Sequence, residues 1–445
     1  MKKNIYLISL GCPRNLVDSE ILKGALVERG FRVIDEFRPD CIALVNTCGF
    51  IEDSKKEAVE ILLQLAEYKK QNKISRIIVA GCLSQRYPGD IIKEIPEIDA
   101  VFGAGNFIEI PAYIDKIIKG ESCLRVKKQP RFLYDHSMPR SIMTPPHSIY
   151  VKIQEGCMNY CSYCVIPKLR GPFRSRKIAS VLDEIRIFYD KGAREINLVG
   201  QDTTLFGVDR YKEQKLAELL KKASGIIKNG WIRLLYTHPA HYTDDLLKAI
   251  KDAPSICKYL DLPIQHINDK ILKKMNRGVA GKDIIKLIRK IRRRIPEVAI
   301  RTTVMVGFPG ETESDFDELE NFVRDTRFER LGVFPYSREE GTKAYNMPGQ
   351  VTEREKKDRL KRIMELQKEI SEEYNKNSLN KTLQVIVDEP DTDEKGLYLG
   401  RTQYDAPEVD GTVYIRSKRY LKKGDFINVK IDGVLEYDLL GEVTD

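Results

Sequence analysis

Cys157-Met158-Asn159-Tyr160-Cys161-Ser162-Tyr163-Cys164 places three thiols at C-x-x-x-C-x-x-C spacing, directly after the apolar, strand-like run Ile149-Tyr150-Val151-Lys152-Ile153. A 4Fe-4S cluster normally takes one thiolate on each of its four irons, so a three-thiolate loop leaves one iron free to bind a small molecule. Zinc would want four ligands in a structural site, or three and a water in a catalytic one, and no fourth Cys or His lies within the loop. Packing as three small apolar side chains fits poorly with so tight a spacing. Gly156 and Asn159 also mark an irregular loop rather than a packed element.

Upstream, residues 1 to about 120 alternate strand-like and helix-like patterns. Apolar runs at Asn4 to Leu10, Cys41 to Thr47, Arg76 to Ala80 and Ala100 to Phe102 read as strands, and Leu16 to Arg29 and Glu52 to Lys70 as helices. Strands separated by helices imply a parallel sheet. Cys12, Cys48 and Cys82 each follow one of these strands directly. In open parallel sheets, ligands bind beyond the carboxyl ends of the strands, so three thiols distant in sequence are expected to meet at one edge. Gly11, Gly49 and Gly81 would allow close backbone approach or a nest of backbone N–H groups there. Three unrelated core cysteines are the alternative. Cys41, Cys123 and Cys257 have no partners at ligand spacing and read as small buried apolar residues. The Pro-rich stretch from Gln129 to Pro146, with His136 inside it and His147 just beyond, reads as a linker.

Downstream of the triad, Arg170, Arg174, Arg176 and Lys177 surround Gly171 and Pro172, a basic turn close in sequence to where anionic groups would sit; a solvated charged loop is the alternative. A helix at Val181 to Lys191 and strands at Glu195 to Val199, Trp231 to Tyr236, Tyr259 to Pro263, Ala299 to Val306 and Leu331 to Phe334 fit an open or partial β/α barrel, with its chemistry at the C-terminal strand ends. Gly200-Gln201-Asp202 and Gly307-Phe308-Pro309-Gly310-Glu311 follow two of those strands. His238 and His266 lie near strand ends and read as hydrogen-bonded structural histidines. A charged helical run from Glu353 to Asn380 leads to five short glycine-separated strands, Thr382 to Val387, Leu397 to Gly400, Gly411 to Ile415, Phe426 to Ile431 and Gly433 to Leu440, expected to form a small antiparallel barrel.

The 445-residue chain is 42% hydrophobic and 32% charged, enough for two or three domains with proper cores. No apolar run approaches the roughly 20 residues of a membrane span, and Met1-Lys2-Lys3-Asn4 leads into a strand rather than a signal-peptide core, so a cytoplasmic protein with no membrane partner is expected. Nine cysteines in a chain of this size argue for metal sites or free thiols rather than a disulfide framework. The net charge of +9 suggests an anionic neighbour such as RNA or a ribonucleoprotein. That charge is unevenly spread. Thr382 to Asp445 holds eight Lys and Arg against fourteen Asp and Glu, a net −6, which leaves +15 for residues 1–381. A barrel gripping an RNA backbone should be basic. This one, with Asp405, Glu408 and Asp410 grouped beside Tyr404 and Pro407, is expected to present an acidic docking face to a basic protein.

The cysteine loop, including Tyr163 before its last thiol, resembles the cluster motif of the radical S-adenosylmethionine (SAM) enzymes. In that superfamily the open iron chelates SAM, which is cleaved reductively to methionine and a 5'-deoxyadenosyl radical. Over essentially the whole chain, the order of domains resembles the methylthiotransferases: residues 1–120 as an N-terminal parallel α/β domain, 140–375 as a partial TIM-like radical SAM barrel, and 378–445 as a TRAM barrel. Gly11-Cys12-Pro13-Arg14-Asn15, Asn46-Thr47-Cys48, Gly81-Cys82, and Gly400-Arg401 to Val409-Asp410-Gly411 look most like the RimO type, which methylthiolates the β-carbon of an aspartate in the twelfth protein of the small ribosomal subunit.

The resemblance implies one 4Fe-4S cluster on Cys157, Cys161 and Cys164, an auxiliary one on Cys12, Cys48 and Cys82, and SAM contacts at Gly200, Gln201 and Gly307. It implies two SAM per turnover, as radical source and methyl donor, and a sulfur donor. It also implies an electron donor such as flavodoxin or ferredoxin, and a basic ribosomal protein, free or in the ribosome, as substrate. Hydrogen abstraction from an unactivated C–H lies beyond any acid or base of ordinary pKa, so no catalytic acid or base is assigned. The alternative is a tRNA adenosine methylthiotransferase, with the same domains and triads. A simple electron carrier would not need a barrel with open-iron spacing, and an RNA-binding scaffold would need neither triad.

Overall fold

The computed structural model describes residues 4–444; Met1 to Lys3 and Asp445 lie outside the described residues. The first unit is a six-stranded, wholly parallel sheet of β1 (Asn4–Ser9), β2 (Arg32–Ile34), β3 (Cys41–Thr47), β4 (Ile74–Gly81), β5 (Ala100–Phe102) and β6 (Cys123–Arg125), in the order β2-β1-β3-β4-β5-β6. Alternate residues serve opposite faces. Ile5, Leu7, Ile42, Leu44 and Ile78 pack under the helices Pro13–Glu28 and Ile110–Ile118, while Ala43, Val45, Ile77 and Val79 pack under the helix Glu52–Lys70. Each Ile or Leu buried in this way contributes about 1.5–3 kcal/mol. The strand order reverses between β1 and β3, so the loops that follow them part and open a crevice at their carboxyl ends.

The second unit is an open barrel of six parallel strands. β7 (Ser148–Lys152) is followed by the two-residue pair β8 (Gln154–Glu155) and β9 (Arg174–Ser175), then by β10 (Glu195–Val199), β11 (Trp231–Leu234), β12 (Tyr259–Asp261), β13 (Ala299–Val306) and β14 (Arg330–Pro335). The sheets β11-β10-β7 and β12-β13-β14 are joined by a bridge between Ile232 and Ile256. Ile149, Val151 and Ile153 face the outer helices, which turns Tyr150, Lys152 and Gln154 inward. The first unit covers the β7 edge. Its Asp18 pairs with Lys152 and Arg170, both buried, and Lys55 and Arg86 reach Glu339 beyond β14 at 3.0 and 2.7 Å.

The stretch Gln129 to Pro146 is a strap rather than a free linker. Tyr134 is buried, and the Arg140 guanidinium bridges Glu20 of the first unit and Glu184 of the second, both at 2.5 Å. His147 is also buried, with Nε2 3.0 Å from Asp388. The basic turn is neither a cradle nor solvated: Arg170 is paired with Asp18 and Arg176 with Glu184 inside the protein, and Lys177 alone of the four is exposed.

The last unit is a closed barrel of β15 (Thr382–Pro390), β16 (Leu397–Thr402), β17 (Val413–Arg416), β18 (Phe426–Val434) and β19 (Leu439–Val443), in the order β15-β16-β17-β19-β18. It departs from the expected antiparallel pattern at one pair, β17 with β19, which is parallel. The run Gly433 to Leu440 is not a strand: β18 continues through a bulge at Gly433, the chain turns at 435–438, and β19 returns along it.

This barrel seals the lower end of the second unit by meeting the first residues of its strands. Arg401 holds Glu195 at 2.8 Å, Trp231 meets Phe426 edge-on at 4.8 Å, Tyr259 donates to Asp410 at 2.6 Å, and Arg330 holds Asp405 at 2.5 Å. The expected acidic docking face is therefore mostly internal. Asp405 and the Asp410 carboxylate are buried in this junction, and of the three only Glu408 is exposed. Arg330 and Arg301 at the strand ends pair with these carboxylates and oppose the desolvation that burial imposes, a pairing that sequence distance hides.

Candidate functional site: two thiol triads across one chamber

The loop carrying Cys157, Cys161 and Cys164 is clamped from three directions. The Ser162 N–H donates to Met275 O at 2.9 Å and its hydroxyl to Lys274 O at 2.8 Å, while Ala344 N–H donates to Ser162 O at 2.8 Å. Asn159 Nδ2 reaches Asp202 at 2.7 Å, tying the loop to the end of β10. Gly156 is required by space as well as by its φ of 76°, since a Cβ there would lie 2.1 Å from Pro172 O. Burial pushes the Cys157 thiol up to about 11 and Cys164 up to about 12, so both stay protonated until a metal replaces the proton.

The second triad forms as the parallel sheet requires. Cys12 opens the helix Pro13–Glu28 after β1, Cys48 follows β3, and Cys82 opens a short helix after β4. Gly11 (φ 85°) lies so close to Cys48 that a Cβ would come 2.9 Å from its sulfur, and a Cβ on Gly81 (φ 102°) would come 2.5 Å from Asn46 Oδ1. Asn15 holds the loop ends together, with Nδ2 donating to Leu10 O at 2.7 Å and Asn46 O at 3.2 Å. Burial raises the Cys82 thiol to about 11 despite Arg170 beside it. At Cys12 burial also acts upward, but Arg14 and Arg170 outweigh it and leave the thiol below its ordinary value.

Neither triad is gathered around a single ion. Zn–S bonds of ~2.3 Å put tetrahedral sulfurs only ~3.8 Å apart. Among the described residues, only Asp202, His238 and His241 bring three ligand atoms within 4.8 Å of one another. The wider spacing of the thiols suits a polynuclear cluster. The triads also approach each other: Cys82 packs against Val165 and Leu169, just beyond Cys164, and the charge of Arg14 reaches both Cys12 and Cys164.

Around the first triad, at β8, just beyond β10 and β11, and after the helix Asp269–Met275, lies a set of buried polar atoms without hydrogen-bond partners: both amide atoms of Gln154, Gln201 Oε1, His238 Nε2 and Arg277 Nε. Buried polar groups are nearly always paired, and each left unpaired costs about 1–3 kcal/mol. A polar ligand with amino, carboxylate and hydroxyl groups, as SAM has, fits this set. Gln201 Nε2 donates to Glu155 at 2.6 Å, and Gly200 is a close-approach position, where a Cβ would strike the Gln154 amide at 2.4 Å. Gly307 differs: its Cβ direction is filled by the Lys356 stem, so its turn seats the helix Glu353–Lys376.

His238 and His266 are buried and neutral. Burial lowers them to about 2 and about 3, and each Nδ1 accepts a backbone N–H two residues on. Their structural role stands, but His238 also stacks on His241, itself 2.8 Å from Asp202, and its Nε2 is buried without a partner. Arg277, which no motif marks, is the buried residue two beyond Met275 whose Nη1 lies 3.5 Å from the Cys161 sulfur. Its only sequence signal is the pair Asn276-Arg277 ending a helix, which any exposed helix shares.

Family models match three segments: one described as an uncharacterized protein family, UPF0004, over residues 4–103, the radical SAM superfamily over 151–323, and the TRAM domain over 381–444. The chain is 46% identical over 440 residues to a protein of Desulforamulus reducens named ribosomal protein uS12 methylthiotransferase RimO, covering 99% of each chain. Proteins of the same name from Caldicellulosiruptor saccharolyticus and Clostridioides difficile are 47% and 43% identical, with coverage of 98% or more. Among solved structures, the radical SAM methyltransferase TsrM of Kitasatospora setae aligns with a TM-score of 0.55 at 15% identity over 75% of each chain, a likeness of fold.

Proposed function

Because this chain belongs to the RimO family of ribosomal protein uS12 methylthiotransferases, within the radical SAM superfamily, we propose that it adds a methylthio group to the β-carbon of an aspartate in that small-subunit protein. The observation that carries this reading is the approach of two thiol triads to one chamber, at the crevice of a parallel sheet and the upper mouth of an open barrel. In the reading, Cys157, Cys161 and Cys164 hold one 4Fe-4S cluster, and Cys12, Cys48 and Cys82 hold a second. When bound, SAM would supply a carbon-centred radical and, from a second molecule, the methyl group, and the second cluster would present the sulfur.

The protein's own part is to bind, orient and exclude water. Gln154, Gln201 and His238 offer unpaired polar atoms to SAM. Gly200 leaves the room that the Gln154 amide occupies, and Gly307 shapes the neighbouring strand end. Asp202 and Asn159 fix the cluster loop against β10. A sulfur source and a one-electron donor such as flavodoxin or ferredoxin complete the reaction, which belongs in the cytoplasm; among the described residues no helix is long and apolar enough to cross a membrane. The net charge of −6 on the last barrel supports a basic protein over tRNA, although docking is not through Asp405 or Asp410.

The test offers the reconstituted protein a peptide spanning the target aspartate together with isopentenylated tRNA, SAM, sulfide and reductant. Mass spectrometry should find the methylthio group on the peptide. A methylthioadenosine in the tRNA beside unmodified peptide would overturn the reading.

A further inference from the structure

Between the two triads sits a guanidinium with no carboxylate. Arg14 Nη1 donates to Gly200 O at 3.2 Å, its Cζ lies 4.3 Å over the Tyr236 ring, and its charge acts on the Cys12 thiol two residues before it. One side chain thus spans from the crevice of the first unit to the strand ends of the second. Of the other arginines at the site, Arg170 is neutralised by Asp18, and Arg301 by Asp261 at 3.3 Å and Asp410 at 3.4 Å, while Arg277 spends its Nη groups on Cys161, Tyr163 and Pro263 O. Arg14 makes no ion pair with a carboxylate among the described residues, and its side chain is only partly buried. A partly buried cation without a counter-charge is costly unless an anion arrives.

Its support is deliberately placed. Tyr236, the ring on which it stacks, has a φ of 59°, a strained conformation for a bulky residue that is held by its N–H donating to Asp261 Oδ2 at 2.7 Å. Arginine presents a planar fork that matches a carboxylate through two parallel hydrogen bonds, which fixes orientation as well as charge.

We infer that Arg14 is the substrate-positioning residue that grips the carboxylate of the target aspartate and holds its β-carbon between the two triads, an inference that rests on the aspartate reading above. Asparagine offers that fork one acceptor and no charge. The rival role, balancing the charge of the thiolates alone, makes no distinction between the two side chains.

The experiment measures anaerobic equilibrium binding, by fluorescence anisotropy, of the target peptide and of the same peptide with asparagine at the modified position, to the iron-loaded protein and to its Arg14→Gln, Arg14→Lys and Tyr236→Leu variants. The unsubstituted protein should prefer the aspartate peptide by about tenfold or more, the usual worth of a charged hydrogen bond. The preference should collapse toward one in Arg14→Gln, persist in part in Arg14→Lys, and fall in Tyr236→Leu, which keeps the charge but removes its platform. A preference that survives in both Arg14→Gln and Tyr236→Leu, or binding of both peptides that weakens equally, would overturn the inference. If the unsubstituted protein modifies the peptide while the preference ignores Arg14, only the inference fails; if it modifies tRNA alone, the functional reading fails first.

Discussion

Asp405 and Arg330, 75 residues apart, form a buried clasp in which one carboxylate oxygen accepts from Nε at 3.0 Å and from Nη2 at 2.5 Å. It joins the last barrel to the first residue of β14. Removing the acid strands a buried guanidinium, which typically costs about 3–5 kcal/mol. Asp405→Ala should therefore lower the denaturation midpoint sharply and expose the segment 376–382 to protease. The exposed Glu408→Lys should change stability by no more than about 0.5 kcal/mol. Similar midpoints for the two variants would show that the clasp does not hold the domains.

The second triad depends on two glycines without side-chain room. Gly81→Ala adds a methyl 2.5 Å from both Asn46 Oδ1 and Thr47 O, at a φ of 102° that alanine resists. The variant should bind about half the iron and sulfide of the parent, because the cluster site proposed at Cys157, Cys161 and Cys164 lies outside the distortion. Full iron content in the pure variant would contradict the assignment.

Protonation gives a third check. Burial lowers His266 to about 3 and His238 to about 2, against an ordinary 6.5. Below that ordinary value the unfolded chain binds protons that the folded chain refuses, so stability falls as pH drops. Glu155, which Lys152 and Arg170 hold at about 2 against its burial, adds to the loss below about pH 4.5. Between about pH 6.5 and 5.5 each buried histidine should account for about 1 kcal/mol of the decline. His266→Asn, whose amide oxygen can still accept the Asn268 N–H, should flatten the midpoint-against-pH curve over that interval; an unchanged slope would show that His266 is not the neutral group described.

Much of this architecture is legible in the sequence because periodicity and strand-end position are local signals. The Cys157 loop, and the placing of Cys12, Cys48 and Cys82 each just after a strand, needed no tertiary knowledge. What escaped is non-local. Asp405 and Asp410 look like a surface patch because their partners Arg330, Tyr259 and Arg301 lie far off in the chain. Arg170 and Arg176 look like a basic turn for the same reason, with Asp18 and Glu184 hidden in other elements. The edge strands β2 and β6 have three residues each, too few for a pattern of period two to stand out. Arg14 stood within a recognised motif, yet its meaning depends on Tyr236 and Gly200, which only folding brings to it.

The most direct measurement compares two triple variants, each reconstituted anaerobically and assayed for iron, 5'-deoxyadenosine and methylthiolated peptide. With Cys12, Cys48 and Cys82 replaced by alanine, the chain should keep one cluster and still cleave SAM, yet form no methylthiolated peptide. With Cys157, Cys161 and Cys164 replaced, it should keep one cluster and release no 5'-deoxyadenosine. Undiminished product from the first variant, or 5'-deoxyadenosine from the second, would contradict the division of labour between the triads.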